Sequence, residues 1–247
     1  MITIIGWIWW LICPVRKRVA IENYQLAFPD RPIGELRQCV GEMVWGYIEL
    51  ALGKRAVVHG SEQVTTGGLC LAGHGGAWDL ALISAAHRIP ITIFVKTPTN
   101  PLVAWWIRRV REESGLELLP PHSSAIAAYR ALKRGRLVVF VQDQRHNQGI
   151  PVTFFGRPAW TSRGFGVLAA RTDVPVFGAW QSRNEKDGTH SMHIEPLSIS
   201  LRSPDHIREI TEESQRFYER KIRERPYSWL WLHDRWRSLE EEYEQSP

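Results

Sequence analysis

The chain predicts an α/β fold, one domain with a largely parallel central sheet and helices on both faces. Three observations carry this. Leu69 to Gly73, Ile91 to Lys96 and Leu137 to Val141 are short apolar runs without polar alternation, as expected of strands buried on both sides. Stretches with apolar positions at helical spacing alternate with them, the order that builds a parallel sheet from crossover units. No Ser/Gly/Pro-rich linker, repeat or low-complexity stretch divides the 247 residues.

The first segment, residues 1–18, is set apart from the main domain, residues 19–247. Met1 to Cys13 is apolar and carries Trp7, Trp9 and Trp10, and Arg16, Lys17 and Arg18 follow Pro14. A spanning helix needs about 20 apolar residues, so this one is too short to cross a bilayer. It also lacks the basic start and small-residue cleavage site of a signal peptide. The expectation is an interfacial anchor with a basic collar for anionic lipid, the alternative a packed helix of the core. Glu35 to Leu52 reads as an amphipathic helix and Arg55 to His59 as a strand. The Leu69 to Gly73 strand opens on Gly73, Gly75 and Gly76, whose freedom permits a tight turn, and Ala77 to His87 reads as the next helix. Leu102 to Glu113 reads as a helix with Arg108, Arg109 and Arg111. Ser123 or Ser124 caps another that reaches Arg134 and ends at Gly135.

His74 stands at the strand-to-helix corner with Asp79 five positions on. The layout is that of a general base. The imidazole faces a cleft, and Asp79, one turn into the helix, is placed to accept from the other ring nitrogen and fix the tautomer. Backbone N–H groups at Gly75 and Gly76 are candidates to stabilise an oxyanion. In open α/β sheets the ligand crevice lies beyond the carboxyl ends of the strands. Asp143, Gln144 and Arg145 follow the Leu137 to Val141 strand there, so they are expected to meet His74 in one cleft. The competing reading of Asp143 and Arg145 is a solvated turn.

The formal charge is +5 although Glu240, Glu241, Glu242 and Glu244 crowd the C-terminus, so the partner expected for the rest is anionic. Twelve tryptophans, several beside aliphatics and arginines, match the composition of a membrane interface. Cys13, Cys39 and Cys70 lack paired spacing, so neither a disulfide framework nor a metal site is expected, and the compartment reads as reducing. Nucleic-acid binding ranks last, because the arginines form no recognised motif. An esterase needs a G-x-S-x-G elbow, which the chain lacks. A non-catalytic module binding membrane or carrier protein is the remaining rival.

Several blocks, in order, resemble the bacterial lipid A biosynthesis acyltransferases of the wider lysophospholipid acyltransferase superfamily. They are Asn23 to Pro29, Gly73 to Asp79 with the H-x-x-x-x-[DE] spacing, Asn100-Pro101, Asp143-Gln144, Val152 to Gly156 with Thr161, Leu168-Ala169, and Pro226 to Trp236. The resemblance spans most of the chain. It implies acyl transfer from an acyl carrier protein thioester to a hydroxyl of a lipid A precursor, at the cytoplasmic face of the inner membrane. His74 would take the proton and Asp79 support the imidazolium, with no covalent acyl-enzyme, no cofactor and no metal. Arg108, Arg109, Arg111 and Arg145 are the candidates for the acceptor or the transition state, since guanidinium groups bind phosphate bidentately. Arg130, Lys133, Arg134 and Arg136 would dock the acidic carrier, or form a solvated helical face. The chain is shorter than a typical member, chiefly at its N-terminus. Arg145-His146-Asn147-Gln148 also departs from the F-P-E-G-[TS]-R block of glycerophosphate enzymes. The family contains acyltransferases for other glycolipids, which keeps a different acceptor open.

Overall fold

The computed structural model describes residues 1–96, 98–120, 125–200 and 202–237. In chain order the elements are α1 (Ile2–Leu11), α2 (Lys17–Ala27), α3 (Leu36–Ala51), β1 (Val57–His59), β2 (Gly68–Ala72), α4 (Trp78–Ala86), β3 (Ile91–Phe94), α5 (Pro101–Glu113) and β4 (Glu117–Leu119). Then come α6 (Ala125–Lys133), β5 (Leu137–Val141), the hairpin of β6 (Ile150–Phe154) and β7 (Arg157–Thr161), α7 (Gly164–Arg171), β8 (Val176–Arg183), β9 (His190–Pro196) and α8 (Ile207–Glu224). Seven strands form one sheet in the order β1-β9-β8-β2-β5-β3-β4. All its pairings are parallel except β8 with β9. The predicted strands and helices fall within a few residues of these elements. The predicted caps Ser123 and Ser124 lie outside the described residues.

The side-chain period of two splits each central strand between two cores. Leu69 and Leu71 of β2 and Val138 and Phe140 of β5 face one way, toward α6, α7 and α8. Cys70 and Ala72, with Leu137 and Val139, face α4 and α5. Strands covered on both sides can be apolar at every position, which is why β2 is buried throughout. Asn100 starts α5 by accepting hydrogen bonds from the Leu102 and Val103 N–H groups, with Pro101 in the first turn.

The N-terminal segment is a helix that packs along α3. Glycines on both helices allow the close approach: a Cβ at Gly6 would lie 2.3 Å from the Arg37 carbonyl oxygen, and one at Gly41 2.4 Å from the Ile2 carbonyl oxygen. Trp9 is buried, whereas Ile4, Trp7, Ile8 and Leu11 remain exposed. The reading of a packed core helix therefore describes the Trp9 side of α1, and the side with Ile4, Trp7, Ile8 and Leu11 faces solvent. Among the described residues no helix is long and apolar enough to cross a membrane.

Candidate active site at the carboxyl edge of the sheet

Strands β2 and β5 are neighbours, and Ala72 pairs with Val141. Two residues further along each chain stand His74 and Asp143. The register therefore sets them opposite one another at the strand ends, and the His74 Nδ1 lies 2.9 Å from the Asp143 Oδ1. Asp143 also accepts from the His74 backbone N–H at 2.7 Å and from the Trp229 Nε1 at 2.7 Å. It is fully buried. Burial by itself would raise its carboxyl pKa, but the adjacent His74 and these hydrogen bonds outweigh it and the net shift is downward. An ionised Asp143 holds a proton on Nδ1 and leaves Nε2 as the basic nitrogen. The Nε2 makes no hydrogen bond among the described residues, and the ring is partly exposed.

This geometry corrects the partner expected for His74. Asp79 is not in contact with the imidazole. It lies in the first turn of α4, turned toward α5, where Arg111 donates to it through Nε and Nη2, each at 2.9 Å. The Tyr47 hydroxyl of α3 donates to the same carboxylate at 2.7 Å. Both members of the ion pair are buried. Two charges removed from water need a close, well-bonded partner, and Arg111 is the cation that α5 brings alongside. The same pairing corrects the reading of Arg111 as a residue that meets the acceptor, because its guanidinium is committed to Asp79. The link back to His74 is indirect: Arg111 lies 5.4 Å from the Trp78 ring, and that ring meets His74 edge-on at 5.0 Å.

The glycine turn is corrected as well. The Gly75 N–H donates to the Gly73 carbonyl at 2.9 Å, and the Gly76 N–H to the Ser228 carbonyl at 2.6 Å. Neither is left for an oxyanion. The Leu230 N–H returns to the His74 carbonyl, so residues 228–230 clamp the turn like an added strand. The need for glycine is steric at Gly73, where a Cβ would lie 2.3 Å from the Trp180 ring. Gly76 has a φ of +47°, a left-handed conformation that side chains resist.

The remaining predicted residues divide. Gln144 and Arg145 join Phe94, Ala128, Phe140 and Leu168 around a cavity of about 420 Å³ that opens beside the end of β5. Phe94, Ala128, Phe140 and Leu168 form its apolar lining, and Gln142, Gln144, Arg145 and Ser162 its polar lining. Arg108 and Arg109 stand exposed on α5, paired with Glu112 and Glu113 and without contact to His74. Of the second basic set, Arg134 and Arg136 bind Glu117 at 2.6 Å and 2.9 Å, and Arg130 and Lys133, exposed on α6, have no ion pair among the described residues.

Reasoning from the sequence gave no role to Trp229, His233 or Arg235, although all three lie in the matched Pro226 to Trp236 block. Trp229 holds Asp143. His233 is mostly buried, and burial lowers its pKa to about 4. Arg235 is fully buried, held by the Trp160 carbonyl, the Thr161 hydroxyl and Gln215, and tethers β7 to α8. Three aromatic and basic residues in alternation, close to a chain end, were the available signal.

Among solved structures, the chain resembles the 1-acyl-sn-glycerophosphate acyltransferase of Thermotoga maritima at 17% identity and a TM-score of 0.42, over 91% of this chain and 97% of that one. No curated protein matches it. A family model described as bacterial lipid A biosynthesis acyltransferase matches residues 43–238, well over half of the sequence. That match takes in the His74 corner, the Asp79–Arg111 pair, Asp143 and the Trp229 clamp, and the chain belongs to the bacterial lipid A biosynthesis acyltransferase family.

Proposed function

We propose that the chain transfers a fatty acyl group from an acyl carrier protein thioester to a hydroxyl of a phosphorylated glycolipid, a lipid A precursor, at the cytoplasmic face of the inner membrane. Family membership supports acyl transfer to a lipid acceptor. The observation that carries the mechanism is the His74–Asp143 pair, with Nδ1 engaged, Nε2 without a hydrogen bond among the described residues and the ring partly exposed. The acceptor hydroxyl gives its proton to Nε2 as its oxygen bonds to the thioester carbonyl carbon. The tetrahedral intermediate then collapses, the C–S bond breaks, and the imidazolium returns the proton to the leaving thiolate. A positioned base of this kind contributes about 100- to 10,000-fold. Proximity of the bound reactants contributes further.

Asp143 orients the imidazole, and the Asp79–Arg111 pair acts one step away by fixing α4 and the Trp78 ring. The first-turn N–H groups of α4 have no partner inside the helix and take the oxyanion role that Gly75 and Gly76 cannot fill. The cavity bounded by Phe94, Phe140 and Leu168 receives the acyl chain, each buried methylene contributing about 0.8 kcal/mol. Arg145 at its polar end, with Arg108 and Arg109 on the nearby helix, meets acceptor phosphate.

The test is transfer from a panel of acyl carrier protein thioesters to a phosphorylated lipid A precursor, with wild type beside His74→Ala. Wild-type transfer and a loss of about 1,000-fold in the variant support the reading, within the range for a removed general base. Transfer by His74→Ala at the wild-type rate refutes the base assignment. Thioester hydrolysis without transfer in the wild type would keep the base and point to a different acceptor.

A further inference from the structure

We propose that the carboxyl edge of the sheet is itself a lipid-binding surface, on which the first turns of α5 and α6 insert into an anionic bilayer around the catalytic cleft. The helices α5 and α6 follow strands β3 and β4, which run parallel to β2 and β5. Both therefore begin at the edge where His74 and Asp143 stand. They straddle it, because α5 packs on the Ile93 side of the sheet and α6 on the Phe140 side.

The first turns carry large apolar groups in water: Leu102 is 76% exposed, Trp105 61% and Ile126 60%, with Val103 and Tyr129 also exposed. A folded protein tolerates single exposed apolar residues, but a cluster at one rim marks a binding surface. In each helix the bases come after the apolar residues. Arg108 and Arg109 follow Trp105, and Arg130 and Lys133 follow Ile126. At a helical rise of about 1.5 Å per residue, Leu102 to Arg109 and Ile126 to Lys133 each cover about 10 Å. That matches an interfacial element, whose apolar part sinks about 5–10 Å toward the acyl chains while its bases stay among the phosphates. Arg109 lies 5.6 Å from the Trp105 ring and Lys133 5.3 Å from the Tyr129 ring, so aromatic and cation sit together as at a headgroup boundary.

The order of residues also selects the occupant. An acidic protein surface calls for bases foremost, whereas here the apolar residues lead and the bases lie behind, the sequence of layers in a bilayer. Glu112 and Glu113 pair with Arg108 and Arg109, but exposed pairs contribute little, so phosphates can replace them. This surface rests on the acyl-transfer reading only for its placement around a lipid-modifying cleft.

The experiment is cosedimentation of the full chain with vesicles of phosphatidylglycerol and phosphatidylcholine, without donor or acceptor. Trp105→Asp/Ile126→Asp is compared with wild type and with Val57→Asp, a control on exposed β1. Trp105→Ser/Ile126→Ser serves as a milder pair, and far-UV circular dichroism checks the fold. The expected result is at least tenfold weaker partitioning of the double variants into phosphatidylglycerol vesicles, with Val57→Asp unchanged. Equal partitioning of wild type and both double variants overturns the proposal, as does an equal loss in Val57→Asp. Lost acyl carrier protein binding with vesicle binding intact also overturns it and gives the face to the carrier. Transfer is assayed separately: vesicle binding lost only in the double variants, by a wild type that shows no transfer, supports this surface and refutes the reaction.

Discussion

Two aspartates lie near the His74 corner, and they serve opposite ends. Asp79 is five residues from His74 in sequence yet pairs with Arg111 and Tyr47, on the side of α4 that faces α5 and α3. Asp143 is 69 residues away yet receives both the ring and the backbone N–H of His74. The first sits in a buried ion pair between helices, the second at the end of a strand next to the histidine's own. Closeness along the chain placed Asp79 on the same corner but left the direction of its side chain open. Strand register brought Asp143 in front of the imidazole. A carboxylate's role here follows its partner and not its distance in sequence.

The largest expected effect separates the two by activity. Asp143→Asn keeps the shape but loses the charge and the enforced tautomer, and it is expected to lower kcat by about 100- to 1,000-fold while thermal stability changes less. Asp79→Asn is expected to lower kcat by about tenfold, since it acts only through Arg111 and Trp78 and not on the transferred proton. Steady-state kinetics on purified, folded variants gives both numbers, and equal losses would erase the distinction drawn between the two carboxylates.

Stability sharpens the comparison from the other side. Arg111→Met leaves Asp79 buried without its cation, and breaking a pair of this kind costs about 3–5 kcal/mol. Replacing both, as Asp79→Leu/Arg111→Met, removes two buried charges together and is expected to recover most of that loss. Urea unfolding of the single and double variants decides it. A double variant less stable than Arg111→Met would mean that the pair contributes more than its mutual neutralisation.

The smallest expected effect is a dependence on pH near the Asp143 side of the site. Burial lowers His233 to about 4 in the folded chain, against about 6.5 in an unfolded one. Between those values the unfolded chain binds a proton that the native chain refuses. The stability is therefore fully present above about pH 6.5 and declines as pH falls toward 4. His233→Gln is expected to flatten that decline in unfolding measured from pH 7 to pH 4.5. Asp143, whose pKa is held below the ordinary carboxylate range, adds a loss only as pH falls through and below that range. An unchanged slope in His233→Gln would assign the whole dependence to carboxylates.

What the sequence determined by itself was what short stretches encode. The apolar runs of β2, β3 and β5, the glycines after β2 and the helical spacing from Leu102 to Glu113 are local signals, and each led to the element or the corner that the structure contains. The chain family was legible in the same way, from blocks whose order survives without knowledge of their contacts. The hairpin of β6 and β7, the antiparallel β9 and the helix α8 were not read as elements, although Ile210, Phe217 and Tyr218 recur at helical spacing along α8 and β9 alternates between buried and more exposed positions. Only the tertiary structure decided which carboxylate serves His74, which N–H groups the turn retains and where Arg111 spends its charge. Those outcomes depend on the pairing of Ala72 with Val141, on the return of residues 228–230 to the glycine turn and on α5 lying beside α4. Each joins segments distant in sequence, and a buried charge or hydrogen-bonding group takes whichever partner that packing brings within reach.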